Sequence, residues 1–405
     1  MNDGADDRTM LDRARFYFVL AFLTTLGPFS LDMYLPGLPA LGRDLRGSES
    51  AVQLTLTACL VGLGVGQLIG GPLSDMIGRR TPLIGALLTY SAASVLCAFA
   101  PTLPALIVLR LVQGMTGGVV GVVATAVVRD RYSGRAAARF YSLLFLVTLL
   151  SPLFAPVIGG EVLLVTTWRG IFLVLAGIGL LLLGIALLGL HETLPPAGRR
   201  MGGIAASVQT LMRLASDREF LGYALPSALA TGAIFTYLAG SSFVIEDVYH
   251  VTPQVYGLLF ALNGVAIGIS TQANRWLLIR FSSQNLFQIG LISLACGGIA
   301  LLLGVLFGVP GVFAVVGPVL LIVASNGFVG PNSLALALTP HPDAAGSGSA
   351  VLGSLRFAVG GAVGPLVGLF GTTSAVPLAA TMCGLTAGAL LLSLVGRRRL
   401  GSDSS

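Results

Sequence analysis

Gly71-Pro72-Leu73-Ser74-Asp75-Met76-Ile77-Gly78-Arg79-Arg80 joins two apolar runs, 51–72 and 81–100. Each run is close to the ~20 apolar residues that cross a bilayer. The joint between them is too short to hold a domain, so the chain must leave the membrane and re-enter at once. Gly71 and Gly78 permit a tight turn and close helix approach. Asp75 can face a helix N-terminus or an arginine, and Arg79 and Arg80 meet the headgroups of the inner leaflet.

The same reading extends outward along all 405 residues, of which 55% are hydrophobic and 10% charged. A soluble domain carries about 25% charged residues, and no soluble core absorbs a mean hydropathy of +0.90. Twelve apolar stretches fit: 16–38, 51–72, 81–100, 103–125, 139–164, 169–190, 220–244, 255–277, 286–308, 311–337, 346–370 and 374–396. The expected fold class is an all-α membrane protein with twelve transmembrane helices. The first span serves as the targeting signal, and no cleavable signal peptide is expected.

All 23 basic residues are arginine. Without lysine there is no Walker P-loop and no Schiff base, so neither nucleotide hydrolysis nor lysine chemistry is expected. The net charge of +6 is distributed as short loop clusters, which argues for topology and against nucleic-acid binding. Cys59, Cys97, Cys296 and Cys383 all fall in apolar spans without CxxC spacing, so no metal site or disulfide is expected. His191, His250 and His341 fall at loops.

With both termini cytoplasmic, eighteen arginines lie in or beside inner segments, among them Arg79, Arg80, Arg129, Arg131, Arg199, Arg200 and Arg397–Arg399. Only Arg43, Arg46 and Arg169 lie outside. The positive-inside rule therefore orients the chain. The longest polar connection, about 190–219, splits it into six-span halves: 1–195, a linker 196–219, and 220–405. An offset of 213 residues relates Gln113-Gly114 to Asn326-Gly327, Gly117 to Gly330, Asp130 to Asp343 and Pro152 to Pro365. Parallel repeats with a site between them describe an alternating-access carrier.

Asp32 and Arg110 are the polar centre of the first half. An ionised Asp deep in a span costs roughly 2.5–3.5 kcal/mol on insertion scales, and such residues mark ion or proton sites. Both lie about seven residues from the outer ends of their spans, ~10 Å deep at 1.5 Å per residue. Opposite charges at one depth are expected to pair. A nearby Arg favours the ionised Asp and apolar surroundings favour the protonated one, so motion between the two environments couples protonation to conformation.

The Gly71–Arg80 joint resembles the G-x-x-x-D-x-x-G-[RK]-[RK] signature of the major facilitator superfamily, with Met76 where a basic residue is usual. Arg110-x-x-Gln113-Gly114 resembles the pattern of its proton-coupled members. Ala155-Pro156-Val-Ile-Gly159-Gly160 resembles the antiporter motif, with Ala155 in place of Gly. Asp32-Met-Tyr-Leu-Pro36, Tyr237–Val244, Tyr256–Gly264 and Pro331-Asn332 through Ala350 resemble the Bcr/CflA group of bacterial drug:proton antiporters, over about Phe16 to Arg397. That resemblance implies the facilitator fold in two pseudo-symmetric halves, efflux of small amphipathic drugs of the chloramphenicol, florfenicol or bicyclomycin kind, and proton exchange through Asp32.

Two departures sharpen the expectation. Thr24 stands where some related exporters carry a second acid, so one proton per cycle is expected. Arg356 lies about ten residues into span eleven; facing the cavity, it would favour neutral or anionic cargo. Substrate contacts are expected from Tyr34, Arg110, Gln113, Tyr141, Tyr237, Phe260, Asn263, Arg356 and Phe357. Gly71, Asp75, Gly78, Arg79, Arg80, Pro156, Gly159 and Gly160 are expected to gate. The partners are then a small drug and the lipid bilayer, with the chain a monomer of the bacterial inner membrane and no cofactor beyond the proton. The alternative is export or proton symport of an endogenous metabolite. An enzyme is not expected, because the spans hold no paired acids and no nucleophile with a base.

Overall fold

The computed structural model describes residues 19–131, 151, 153–195, 212–214, 216–340, 345–369 and 374–402. Among them ten helices are long and apolar enough to cross a membrane, and Leu153–Val165 and Val351–Val363 are shorter apolar helices. The helices are α1 (19–32), α2 (Leu38–Asp44), α3 (Glu49–Ile77), α4 (Arg80–Ala98), α5 (Leu103–Arg131), α6 (Leu153–Val165) and α7 (Trp168–Gly189). After the connection come α8 (Arg218–Ser242), α9 (Pro253–Leu277), α10 (Ser283–Leu306), α11 (Phe313–Leu338), α12 (Ala345–Leu369) and α13 (Val376–Ser402).

Helix starts are marked by short polar caps, because the first backbone N–H groups have no intrahelical partner. Ser48, Thr167, Asp217, Thr252 and Ser282 each accept a hydrogen bond from a backbone N–H at the start of α3, α7, α8, α9 and α10.

The first span is not one continuous helix, as the apolar run 16–38 suggested. α1 ends at Asp32, Met33 and Tyr34 form a turn, and Leu35–Gly37 make one 3₁₀ turn before α2. Pro36 and Pro39 lack the N–H groups an α-helix would use there. Asp32 therefore sits at a helix end inside the protein. The span at the start of the second half also changes geometry. Beyond Ser242, the residues Phe243–Val248 form a π-helical segment.

α3 packs along α5, α4 against α5 and α7, α8 against α12 and α13, and α11 against α9 and α10. α3 against α12 and α6 against α9 join the first and last groups of helices. Lipid is as apolar as Leu, so packing relies on small residues that let backbones approach. The α3–α5 contact shows this. A side chain at Gly62, Gly66, Gly114 or Gly118 would collide with main-chain atoms at Leu111, Met115, Cys59 or Leu63, respectively, on the facing helix.

Gly66→Leu is expected to lower the stability of the purified protein by at least the ~1–3 kcal/mol of ordinary overpacking. Gly85 has open space around it, so Gly85→Leu is expected to be neutral. Thermal unfolding of the two variants in detergent checks the contrast.

Candidate functional site

A cavity of about 390 Å³ opens between helices of the two halves. α1 contributes Thr24, Pro28, Leu31 and Asp32, and α3 contributes Leu63 and Gln67. α8 and α9 supply the opposite wall, with Phe235, Tyr237, Phe260 and Asn263, closed by Val323 of α11 and Phe357 of α12. Asp32 is the one charged residue of this lining. It is 6% exposed. Among the described residues no hydrogen bond or ion pair holds its carboxylate.

The aromatic wall is ordered by contacts among its own members. Tyr237 and Phe260 stack with ring centroids 5.5 Å apart and planes 12° off parallel, and Phe235 lies 5.9 Å from Phe357. Asn263 Nδ2 donates to the Tyr237 hydroxyl at 3.3 Å. The Asn263 carbonyl oxygen is buried without a partner, which leaves one acceptor for a donor on cargo. An apolar pocket with few placed polar groups suits a small amphipathic ligand.

The structure separates the expected contacts into two groups. Tyr237, Phe260, Asn263 and Phe357 line the cavity together with Asp32. Tyr34, Arg110 and Gln113 do not; they form a fully buried cluster behind α1. Arg110 donates to Gln113 Oε1 at 2.6 Å, and Gln113 donates to Ser94 at 2.7 Å. The guanidinium lies 4.7 Å from the Tyr34 ring centroid and 5.5 Å from that of Phe172. The Tyr34 hydroxyl pairs with Thr55 at 2.7 Å.

The expected Asp32–Arg110 pair is thus absent from this conformation. The reason is the break in the chain: α1 ends at Asp32, and Met33 and Tyr34 turn away from its path. Tyr34 faces α5, and Asp32 faces the cavity. Arg110 Nε and one terminal nitrogen carry no hydrogen bond, and aromatic faces stand in for the missing acid.

Arg356 also lies off the cavity. Its guanidinium donates to Ser227 of α8 at 2.7 and 3.1 Å, to Ser333 of α11 at 3.1 Å and to the Gly330 carbonyl at 3.4 Å. Tyr141 lies outside the described residues.

The gating motifs fall at two levels. On the face read as cytoplasmic, Gly78 takes φ 97°, a conformation that favours glycine. It turns Arg79 inward to 2% exposure. Arg79 binds Asp130 of α5 through two nitrogens at 2.8 and 3.3 Å, Ser74 at 2.7 Å, and Asp75. Burial draws the Arg79 pKa down, but the bonds and charges of Asp130 and Asp75 outweigh it and leave it raised. The backbone N–H groups of Arg79 and Arg80 donate to Glu192 at 2.8 and 3.2 Å. Partial burial raises the Glu192 pKa, and the N–H donors of Arg79, Leu194, Arg80 and Thr193 bring it below the usual carboxylate range. The Arg80 side chain caps the Leu187 carbonyl at 3.0 Å, and Gly71 packs near Val122.

At the other end, α6 closes against α1 and α9. A side chain at Gly159 would strike the Met33 carbonyl, one at Gly160 the Pro253–Gln254 backbone, and one at Gly257 the Pro156 carbonyl. Gln254 Nε2 donates to the Gly160 carbonyl at 3.2 Å, and Arg43 pairs with Asp247 at 3.1 Å. These contacts between the first and last groups of helices lie toward the end away from Arg79, and Asp32 faces the space beneath them.

Residues 20–365 match the Major Facilitator Superfamily. The chain belongs to that superfamily. It is a multi-pass membrane transporter, and not an enzyme. The uncharacterized MFS-type transporter YdgK of Bacillus subtilis is 39% identical over 97% of this chain and 98% of its own. The bicyclomycin resistance protein homolog of Haemophilus influenzae is 29% identical over 91% and 92%. The multidrug resistance protein MdtL of Escherichia coli is 30% identical over 64% and 65%. Two of these relatives are named for bicyclomycin and multidrug resistance. The solved nucleoside transporter NupG shares the fold at a TM-score of 0.76, with 11% identity over 96% of this chain and 99% of its own.

The sequence reading missed Gln67, Thr24 and Phe235 in the lining, and Asp130 and Glu192 around Arg79. Asp130 carried a signal as one of the residues repeated at the 213-residue offset. Arg79→Ala would remove the guanidinium that binds Asp130, Ser74 and Asp75. It is expected to cost this facilitator about 1.5–3 kcal/mol, the range for hydrogen bonds to charged groups, while Arg79→Lys restores part of that. Thermal unfolding in detergent, compared across the two variants, checks it.

Proposed function

We propose that this facilitator exports small neutral amphipathic drugs in exchange for protons. The observation that carries the reading is Asp32: the one charged residue of a mostly apolar and aromatic cavity lining, with no partner among the described residues to hold its charge. A carboxyl so placed is neutralised by a proton when the cavity is dry and ionised when water reaches it. Residues 1–195 and 220–405 act as the two rocking halves joined by 196–219, with both termini cytoplasmic in the bacterial inner membrane. One proton moves per cycle, no cofactor takes part, and the chain works as a monomer.

Energetics permit this. An inward proton yields ~2.3 kcal/mol per 100 mV, and a tenfold drug gradient costs ~1.4 kcal/mol. The names of the bicyclomycin and multidrug resistance relatives support drugs as cargo. Arg356 is held by Ser227, Ser333 and Gly330, away from the lining, so a preference for anionic cargo loses its support and neutral cargo remains.

Asp32→Asn is expected to abolish drug-dependent proton movement and to remove the roughly tenfold export gradient that ~1.4 kcal/mol maintains. The check is a susceptibility panel headed by phenicols in an efflux-deficient host, paired with vesicle transport. Transport of unchanged proton dependence in that variant overturns the reading. Arg356→Gln is expected to keep the rank order of drugs in the same panel while costing about 1.5–3 kcal/mol of stability through the lost charged hydrogen bonds.

A further inference from the structure

A second carboxylate lies outward of the cavity. Glu246 sits nine residues beyond Tyr237, about 13 Å along a helical path, in the π-helical segment Phe243–Val248. Its Oε1 is buried and has no hydrogen-bond partner. Its charged neighbours are Asp247 on its own segment and Arg43 on α2. These two bind each other in the open, with side chains 44% and 68% exposed. Asp44 of α2 is occupied by Arg169 and Trp168. α9 presents Tyr256, which feels the charges of both Glu246 and Asp32.

Hydroxyl groups follow one another along α8 between Tyr237 at the cavity and the segment that carries Glu246. The Tyr256 and Ser241 hydroxyls are 2.9 Å apart. Tyr237, four residues before Ser241 on α8, borders the same cavity as Asp32. Ser242, alongside, is fully buried with an unpaired hydroxyl. A side chain with an orphaned polar atom is costly in an apolar setting, and Glu246, Ser242 and Asn263 each carry one.

We propose that Glu246 is the outer proton port of the transporter, relaying protons between external water and Asp32 through Tyr256, Ser241 and Tyr237. The Glu246 carboxyl takes a proton from external water, forming an O–H bond. Each hydroxyl then accepts one proton and passes its own inward, and the last proton neutralises the Asp32 carboxylate. No electrons change hands, and Glu246 returns to its ionised form. The port rests on the proton-exchange reading given above, and adds to it an entry route on the side sealed by α6.

The test uses the full-length protein in liposomes with chloramphenicol as probe. Drug-induced proton movement is read by an internal pH dye, and drug–drug counterflow, which needs no net proton, is read by labelled chloramphenicol. Glu246→Gln is expected to slow proton-coupled exchange tenfold or more while counterflow stays within twofold of wild type. Glu246→Asp, which keeps a carboxyl, is expected to restore most of the exchange, and Tyr256→Phe to slow it as Glu246→Gln does. Proton-coupled exchange within twofold of wild type in Glu246→Gln overturns the port and leaves drug/proton exchange standing. Counterflow lost together with proton coupling assigns Glu246 a structural role and also overturns it. Wild-type protein that moves drug with no proton overturns the exchange reading and the port together.

Discussion

A charge in hydrocarbon must be neutralised, partnered or wetted, and that constraint organises the interior of this transporter. Four groups answer it in different ways. Arg79 meets two carboxylates and a hydroxyl at the membrane edge, the full ionic solution. Arg356, deeper, receives only hydroxyls and a carbonyl. Arg110 receives one amide oxygen and two aromatic faces. Among the described residues Asp32 has no partner and faces open space instead. The gradation separates structural charge from working charge. Arg79 and Arg356 are held by groups that need not move and Arg110 is bonded through one nitrogen only, whereas the acid is left to water and protons.

The second constraint is the lack of a hydrophobic drive between helices in lipid. Helices that must stay together therefore trade side chains for backbone contact. α3 and α5 do so along Gly62, Gly66, Gly114 and Gly118. α6 uses the same device at Gly159 and Gly160 against α1 and α9. There it joins the first and last groups of helices, where a contact free of interlocking side chains can part and re-form without rotamer strain. Side-chain bulk is concentrated instead around the cavity, where Phe235, Tyr237, Phe260 and Phe357 face the cargo space.

Much of the architecture was legible from hydropathy, because a bilayer admits one solution for a long apolar run and charge excludes the rest. Helix interruptions were less so: Pro36 signalled the break after Asp32, but nothing in Phe243–Val248 announces a π-helical segment. Around the site, residue type and depth were legible and azimuth was not. Asp32, Tyr237 and Asn263 point inward, while Tyr34 and Arg110, at comparable depth, turn to the back of the bundle. Depth follows from counting residues, but direction depends on the break at Met33–Tyr34, which a one-dimensional reading cannot orient. Gln67, a lone amide in an apolar helix, was readable in principle as cavity-facing. The Arg79–Asp130 pair depended on a tertiary approach of α3 and α5 that spacing alone does not reveal.

The π-helical segment has a mechanical meaning. Its wide turn is closed by a five-residue bond from Tyr249 N to the Val244 carbonyl at 3.1 Å. It holds one residue more than an α-turn would. Expelling that surplus would slip everything downstream by one position, swinging it through about 100° around the axis. Asp247 would then leave Arg43, and the clasp across the two lobes would open by a change of winding number rather than by bending.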